Sequence, residues 1–122
     1  MKILLDTGFM VGLFKPKDQH APVVRRILGA DHSANQFHTV WECIAEACHH
    51  LENRHRQALL RWLDSEGVQV HNGERGDLIR MADYMAKYSN VSNGKGPDVA
   101  DIALVLLADR INTISIFTVD EK

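Results

Sequence analysis

Two cysteines in 122 residues, Cys43 and Cys48, are too few for the disulfide framework of a small secreted domain, and they fit a reducing cytoplasm better. No apolar run approaches the roughly 18 residues that a membrane helix requires, so no segment reads as a membrane span. Neither sign of charge dominates. Fourteen Lys and Arg stand against 16 Asp and Glu, a net charge of -2, unlike the strongly basic domains that coat nucleic acid without regard to sequence. The apolar start MKILLDTGFMVGLF is interrupted by Asp6 and followed by no small-residue cleavage site, so it reads as a strand rather than a signal peptide. Internal repeats, low-complexity blocks and a domain linker are all missing, and the length suits one domain with a real core.

What is present is a globular composition, 45% apolar and 25% charged. Ile3, Leu4 and Leu5 form a short continuous apolar run ending in Asp6-Thr7-Gly8, the pattern of a strand buried on both faces of a parallel sheet. Asp18 caps a predicted helix over residues 20–28 that Gly29 closes. Phe37 to Val40 predict a second strand, leading into a helix over 41–51, and residues 56–65 carry Leu59, Leu60, Trp62 and Leu63 on a helical period. A short strand over 68–71 follows. Leu78, Met81, Ala82, Met85 and Tyr88 mark another helix, and residues 89–96 form a loop rich in Asn, Ser and Gly. The segment GPDVADIALVLLAD (96–109) predicts a central helix opened by Pro97, and residues 113–119 a last β-branched strand ending at Asp120. Strands alternating with helices imply an α/β fold, with a mostly parallel sheet and helices on both faces.

In such sheets ligands bind outside the carboxyl ends of the strands, where Asp6 and Asp120 both fall. Each has turn chemistry as an alternative. Asp98 and Asp101, three apart, share one helical face. Asp98 in a first turn is explained by the helix dipole as well as by chemistry. Asp101 lies between Val99-Ala100 and an apolar run from Ile102, which predicts a buried carboxylate that must be paired, protonated or bound to a metal. Lys95 and Arg110 are the basic candidates to pair with it, one in a loop and the other nine residues away. Glu42 and Glu46 share another helical face, and spacing does not choose between them. Several oxygen ligands at one edge, without a thiolate cluster or a Gly-rich phosphate loop, suit Mg²⁺ or Mn²⁺ and phosphodiester hydrolysis.

The ordered set Asp6-Thr7-Gly8, Thr39 to Glu46 (TVWECIAE), Asp98 to Asp101 (DVAD) and Thr118-Val119-Asp120 resembles the PIN-domain ribonucleases, in particular the VapC-like toxins, over nearly the whole chain. The resemblance selects Glu46, which precedes Ala47 and the His/Leu-containing helix end, and leaves Glu42 outside. It implies a three-layer α/β/α sandwich in a single domain over residues 1–122, one that stops short of the last loop and element such domains usually carry. Asp6, Glu46, Asp101 and Asp120 would be the catalytic and metal-binding residues, with Asp98 a helper, holding one or two Mg²⁺ or Mn²⁺ ions and cutting single-stranded RNA. A cognate antitoxin protein as inhibitor and a homodimer are also implied. The contrasting reading is a PIN-like protein that has lost catalysis and acts as an RNA- or protein-binding module. A haloacid-type phosphatase needs a second Asp two residues after the first, where Gly8 stands.

Other polar residues read as structural. Cys43 and Cys48 with His49, His50 and His55 have poor spacing for a shared zinc ion. Arg54, His55, Arg56 and Arg61 read as a solvated helix face, and His20 as packing.

Overall fold

Three consecutive apolar side chains give the first strand two faces to bury. In β1 (Lys2–Leu5), Ile3, Leu4 and Leu5 are at most 2% exposed, and they point alternately to opposite sides of the sheet. The computed structural model describes residues 2–14, 36–89, 98–112 and 116–117, the last pair by backbone. After β1 come α1 (Thr7–Phe14), β2 (Gln36–Val40), α2 (Trp41–His49) and α3 (Asn53–Ser65), then β3 (Gln69–His71), α4 (Asp77–Lys87), α5 (Val99–Ile111) and β4 (Ile116–Phe117). The helix expected over 20–28, with His20, lies outside the described residues, as do Lys95, Pro97 and Asp120.

The four strands form one sheet in the order β3-β2-β1-β4, with every pair parallel. Ile3 pairs with Phe37, Leu4 with His38 on one side and Ile116 on the other, and His38 with Gln69. From β1 the chain builds outward through β2 and β3 and then returns to β1's other side as β4. The direction of winding therefore switches between β1 and β4, the position where open α/β sheets leave a crevice at their carboxyl ends. Asp6, the residue after β1, stands there.

Strand alternation divides the core in two. Leu4 packs with Cys43, Ile44 and Ala47 of α2, Leu59 and Leu63 of α3, and Ala103, Leu104 and Leu107 of α5. Ile3 and Leu5 pack instead with Phe37 and with Phe9 and Leu13 of α1. This is the expected α/β sandwich around a parallel sheet.

One expectation is corrected. Asp101 is exposed, because α5 is not buried all round. Ala100, Ile102, Ala103, Leu104, Leu106 and Leu107 face the core, while Asp101, Val105, Ala108 and Asp109 make a partly solvated stripe at i, i+4, i+7 and i+8. The apolar Val105 and Ala108 on that stripe hid the amphipathic pattern. No buried-charge penalty therefore obliges Asp101 to bind a metal.

Candidate active site

Asp6 is formed by the end of a strand and used by the start of a helix. It is 6% exposed, and its Oδ1 accepts the Phe9 backbone N–H at 2.9 Å, satisfying one of the free donors of α1. Beside it, the Thr39 hydroxyl donates to the Leu5 carbonyl at 2.7 Å and ties the carboxyl ends of β1 and β2. Thr7 donates to the Cys43 carbonyl at 3.4 Å, which holds α1 against α2. Neither threonine's contact was legible in the sequence. A polar residue at the end of an apolar strand was the available signal.

Cys43 lies in the field of both Asp6 and Asp101. Its Sγ lies 3.6 Å from the Ala100 carbonyl at the head of α5, and burial pushes its thiol up to about 12, with Asp6 and Asp101 adding to the rise. The two aspartates thus act on one buried thiol from α1's side and α5's side. Glu46 and Asp98 meet elsewhere on the same edge, lining a depression of about 480 Å³ with Glu42 and His49. Asp98 is exposed and is the N-cap of α5, its Oδ1 accepting the Ala100 N–H at 3.2 Å. Glu46, partly exposed, lies 3.2 Å from His50 Nε2 one helical turn on.

The donor set is all carboxylate, which suits a hard divalent cation. Among the described residues, no three His, Cys, Asp or Glu side chains are grouped closely enough to hold a metal ion. Asp120 is beyond them. Among the described residues, Asp6 and Asp101 bear on Cys43 through their charge, and Glu46 and Asp98 line the depression, without closing one ligand shell.

Two polar arrangements had no counterpart in the sequence reading. Arg110, considered as a mate for Asp101, instead donates from Nη2 to Asp77 Oδ2 at 2.8 Å and lies 3.9 Å from Glu74. Asp77, 7% exposed, is held below the usual carboxylate range by the Glu74 backbone N–H and by Arg110. This pair joins α4 to α5. Between β2 and β3, His38 Nδ1 and His71 Nε2 are 2.9 Å apart, and His38 is only 4% exposed. Burial holds both imidazoles below their usual pKa, aided at His38 by His71 and Lys2 and at His71 by Arg110. The Arg54 to Arg61 cluster is the solvated face expected, with Arg56 bonded to the Cys48 carbonyl at 2.6 Å. Cys43 and Cys48 are free thiols.

Among curated proteins none matches the chain. The crystal structure of Mycobacterium tuberculosis VapC20, a sarcin-ricin loop cleaving toxin, is similar in fold, with a TM-score of 0.76 at 13% identity, covering 97% of this chain and 89% of that one. The family model for the PIN domain matches residues 3–122. The chain belongs to the PIN-domain family.

Proposed function

We propose that the protein is a metal-dependent endoribonuclease that hydrolyses phosphodiester bonds of single-stranded RNA, and that it is the toxin of a toxin-antitoxin pair. The observation that carries this reading is Asp6. A buried carboxylate at the carboxyl end of the first strand, beside the switch point of a parallel sheet in a PIN-domain chain, supports a chemical role beside its capping one. Its likeness in fold to a toxin that cleaves the sarcin-ricin loop supports RNA as the substrate class.

In this reading Asp6, Glu46, Asp101 and Asp120, helped by Asp98, would hold Mg²⁺ or Mn²⁺ through carboxylate oxygens. When bound, such a cation supplies Lewis acidity toward the phosphodiester and a more acidic bound water. The chain's own part is positioning. The Phe9 N–H holds one oxygen of Asp6, the Thr39 hydroxyl pins the strand end beside it, and the α5 N-cap fixes Asp98 three residues from Asp101. An antitoxin protein and a second copy of the chain are the partners the family resemblance implies. More than half of the surface of Trp41 and of Ile79 is exposed, leaving apolar side chains available to them.

A second reading, a PIN-domain protein that binds without cleaving, is favoured by the absence among the described residues of three grouped metal-ligating side chains. Cleavage of single-stranded RNA with Mg²⁺ or Mn²⁺, with a chelator control, tests the first. Asp6→Asn and Asp101→Asn should each abolish it, and equal activity in wild type and both variants would sink the proposal. Calorimetric titration with Mn²⁺ separates the two readings, since the binding module takes up no cation through these carboxylates.

A further inference from the structure

A cavity of about 370 Å³ opens beyond the carboxyl ends of β2 and β3, between α4 and α5. Its volume falls within the roughly 300–1,000 Å³ of small-ligand sites. Leu78 and Met81 of α4 and Leu106 of α5 give it apolar lining, and Glu42, Asn72 and Arg110 are among its polar lining residues. Glu42 lines both this cavity and the depression that holds Glu46 and Asp98, so the two adjoin. We propose that the cavity is a nucleobase subsite, which seats one base of the RNA strand, preferably one with an exocyclic amino group, beside the carboxylates that address its phosphodiester. The inference rests on the RNA-cleavage reading and names a specificity element for it.

Charge argues for a base rather than a phosphate inside. Among the lining residues Glu42, Glu74 and Asp77 stand against Arg75 and Arg110, three acids to two cations. Asp77 also neutralises the Arg110 guanidinium at 2.8 Å, which fixes that planar group and leaves a flat surface at the cavity wall. Single-stranded RNA is read by placing unstacked bases against apolar and guanidinium planes and hydrogen-bonding their edges. Glu42 is the edge reader. Its carboxylate only accepts hydrogen bonds, and it has no ion-pair partner among the described residues. An amino group of cytosine, adenine or guanine would donate to it, whereas uracil has no amino group and brings two carbonyl oxygens on either side of one N–H. Gly73 lines the cavity. A Cβ there would lie 3.5 Å from Asp77 Oδ2 and 4.0 Å from Glu42 Oε2, so a longer side chain at 73 would take up room beside both carboxylates.

The test follows the Met81 methyl by NMR in the full chain, without divalent cation, on titration with CMP, AMP and UMP. The expected result is a saturable shift with CMP and AMP near about 1 mM, tighter than UMP by about fivefold or more. Glu42→Gln should erase the preference, and Gly73→Leu, a substitution in an exposed loop, should abolish the shift. No shift with any nucleotide, an equal response to CMP and UMP in wild type, or a shift with argininamide alone overturns the proposal. The last outcome would assign the cavity to a peptide side chain. Because binding is read without cleavage, a protein that binds CMP but cuts no RNA loses only the cleavage reading. One that cuts RNA with Met81 silent loses only the subsite.

Discussion

Asp6 carries two roles that substitution can separate. Asn retains a capping oxygen for the Phe9 N–H, and Asn and Asp are equivalent N-caps. Asp6→Asn is therefore expected to change unfolding free energy by no more than about 0.5 kcal/mol, while RNA cleavage falls at least about 100-fold, the upper range for loss of even an outer metal partner. Asp6→Ala should lose cleavage as well and about 1–2 kcal/mol of stability with it. Urea melts beside cleavage assays decide this, and an Asp6→Asn protein that cleaves normally removes Asp6 from the chemistry. Asp98 needs the same separation, because its carboxylate already caps α5 at Ala100. Asp98→Ala is expected to cost about 0.5–2 kcal/mol and Asp98→Ser to recover most of it. Cleavage that recovers with Ser would make Asp98 a cap alone. Cleavage that stays low in the Ser variant makes its carboxylate part of the site.

At the scale of elements, the β2–β3 junction is built around a charge-intolerant pair. His38 and His71 share one hydrogen bond at 2.9 Å, and Lys2 and Arg110 are the cations that bear on them. Both imidazoles are harder to protonate folded than unfolded, so below their ordinary pKa near 6.5 the unfolded chain takes up more protons. Their contribution to stability is complete above that value and is lost as pH falls through the lowered folded pKa values. The slope is at most about 1.4 kcal/mol per pH unit for each proton taken up. His38 Nε2 is buried without a hydrogen-bond partner among the described residues. Exchanging that ring for an apolar one removes the orphaned nitrogen but also breaks the bond to His71, and should cost about 0.5–1.5 kcal/mol at neutral pH. Urea midpoints at about pH 7.5 and about pH 5 should differ less in His38→Phe than in wild type. An unchanged difference would show that the pair does not set the acid slope.

The same scale shows what the sequence made legible. Continuous apolar runs and β-branched segments placed β1, β2 and β3, and Asp6 fell at the carboxyl end of β1 as expected. Helix ends moved by a few residues: α2 stops at His49 rather than Leu51, and α3 begins at Asn53 rather than Arg56, its polar first turn being one that apolar periodicity cannot see. Asp101 was misplaced for a related reason, since Val105 and Ala108 put apolar side chains on a half-exposed stripe. Contacts between distant positions were illegible. Asp77 and Arg110 are 33 residues apart, as are His38 and His71, and no local pattern pairs them.

For the whole molecule the decisive quantity is where charge sits. Setting aside Asp6, Glu46, Asp98, Asp101 and Asp120 leaves 11 acids against 14 bases, so a net charge of -2 becomes +3 for the remainder. On the proposed reading, an RNA strand would meet a mildly basic body with an acidic edge, and a cation held at that edge would make the approach favourable. With about three phosphates contacted, log affinity should fall against log salt with a slope of only about -2. A steep slope would point to a basic surface that this charge distribution lacks. The cation should also act on the fold, because a ligand held only by the native state stabilises it by about 2.7 kcal/mol at a hundred times its Kd. For a domain of this size that corresponds to a Tm rise of about 10 °C. Thermal melts in Mn²⁺ should show this rise in wild type and lose it in the Asp6→Asn, Asp101→Asn double variant. Equal rises in both proteins would place the bound cation away from these carboxylates and take the metal-dependent mechanism with it.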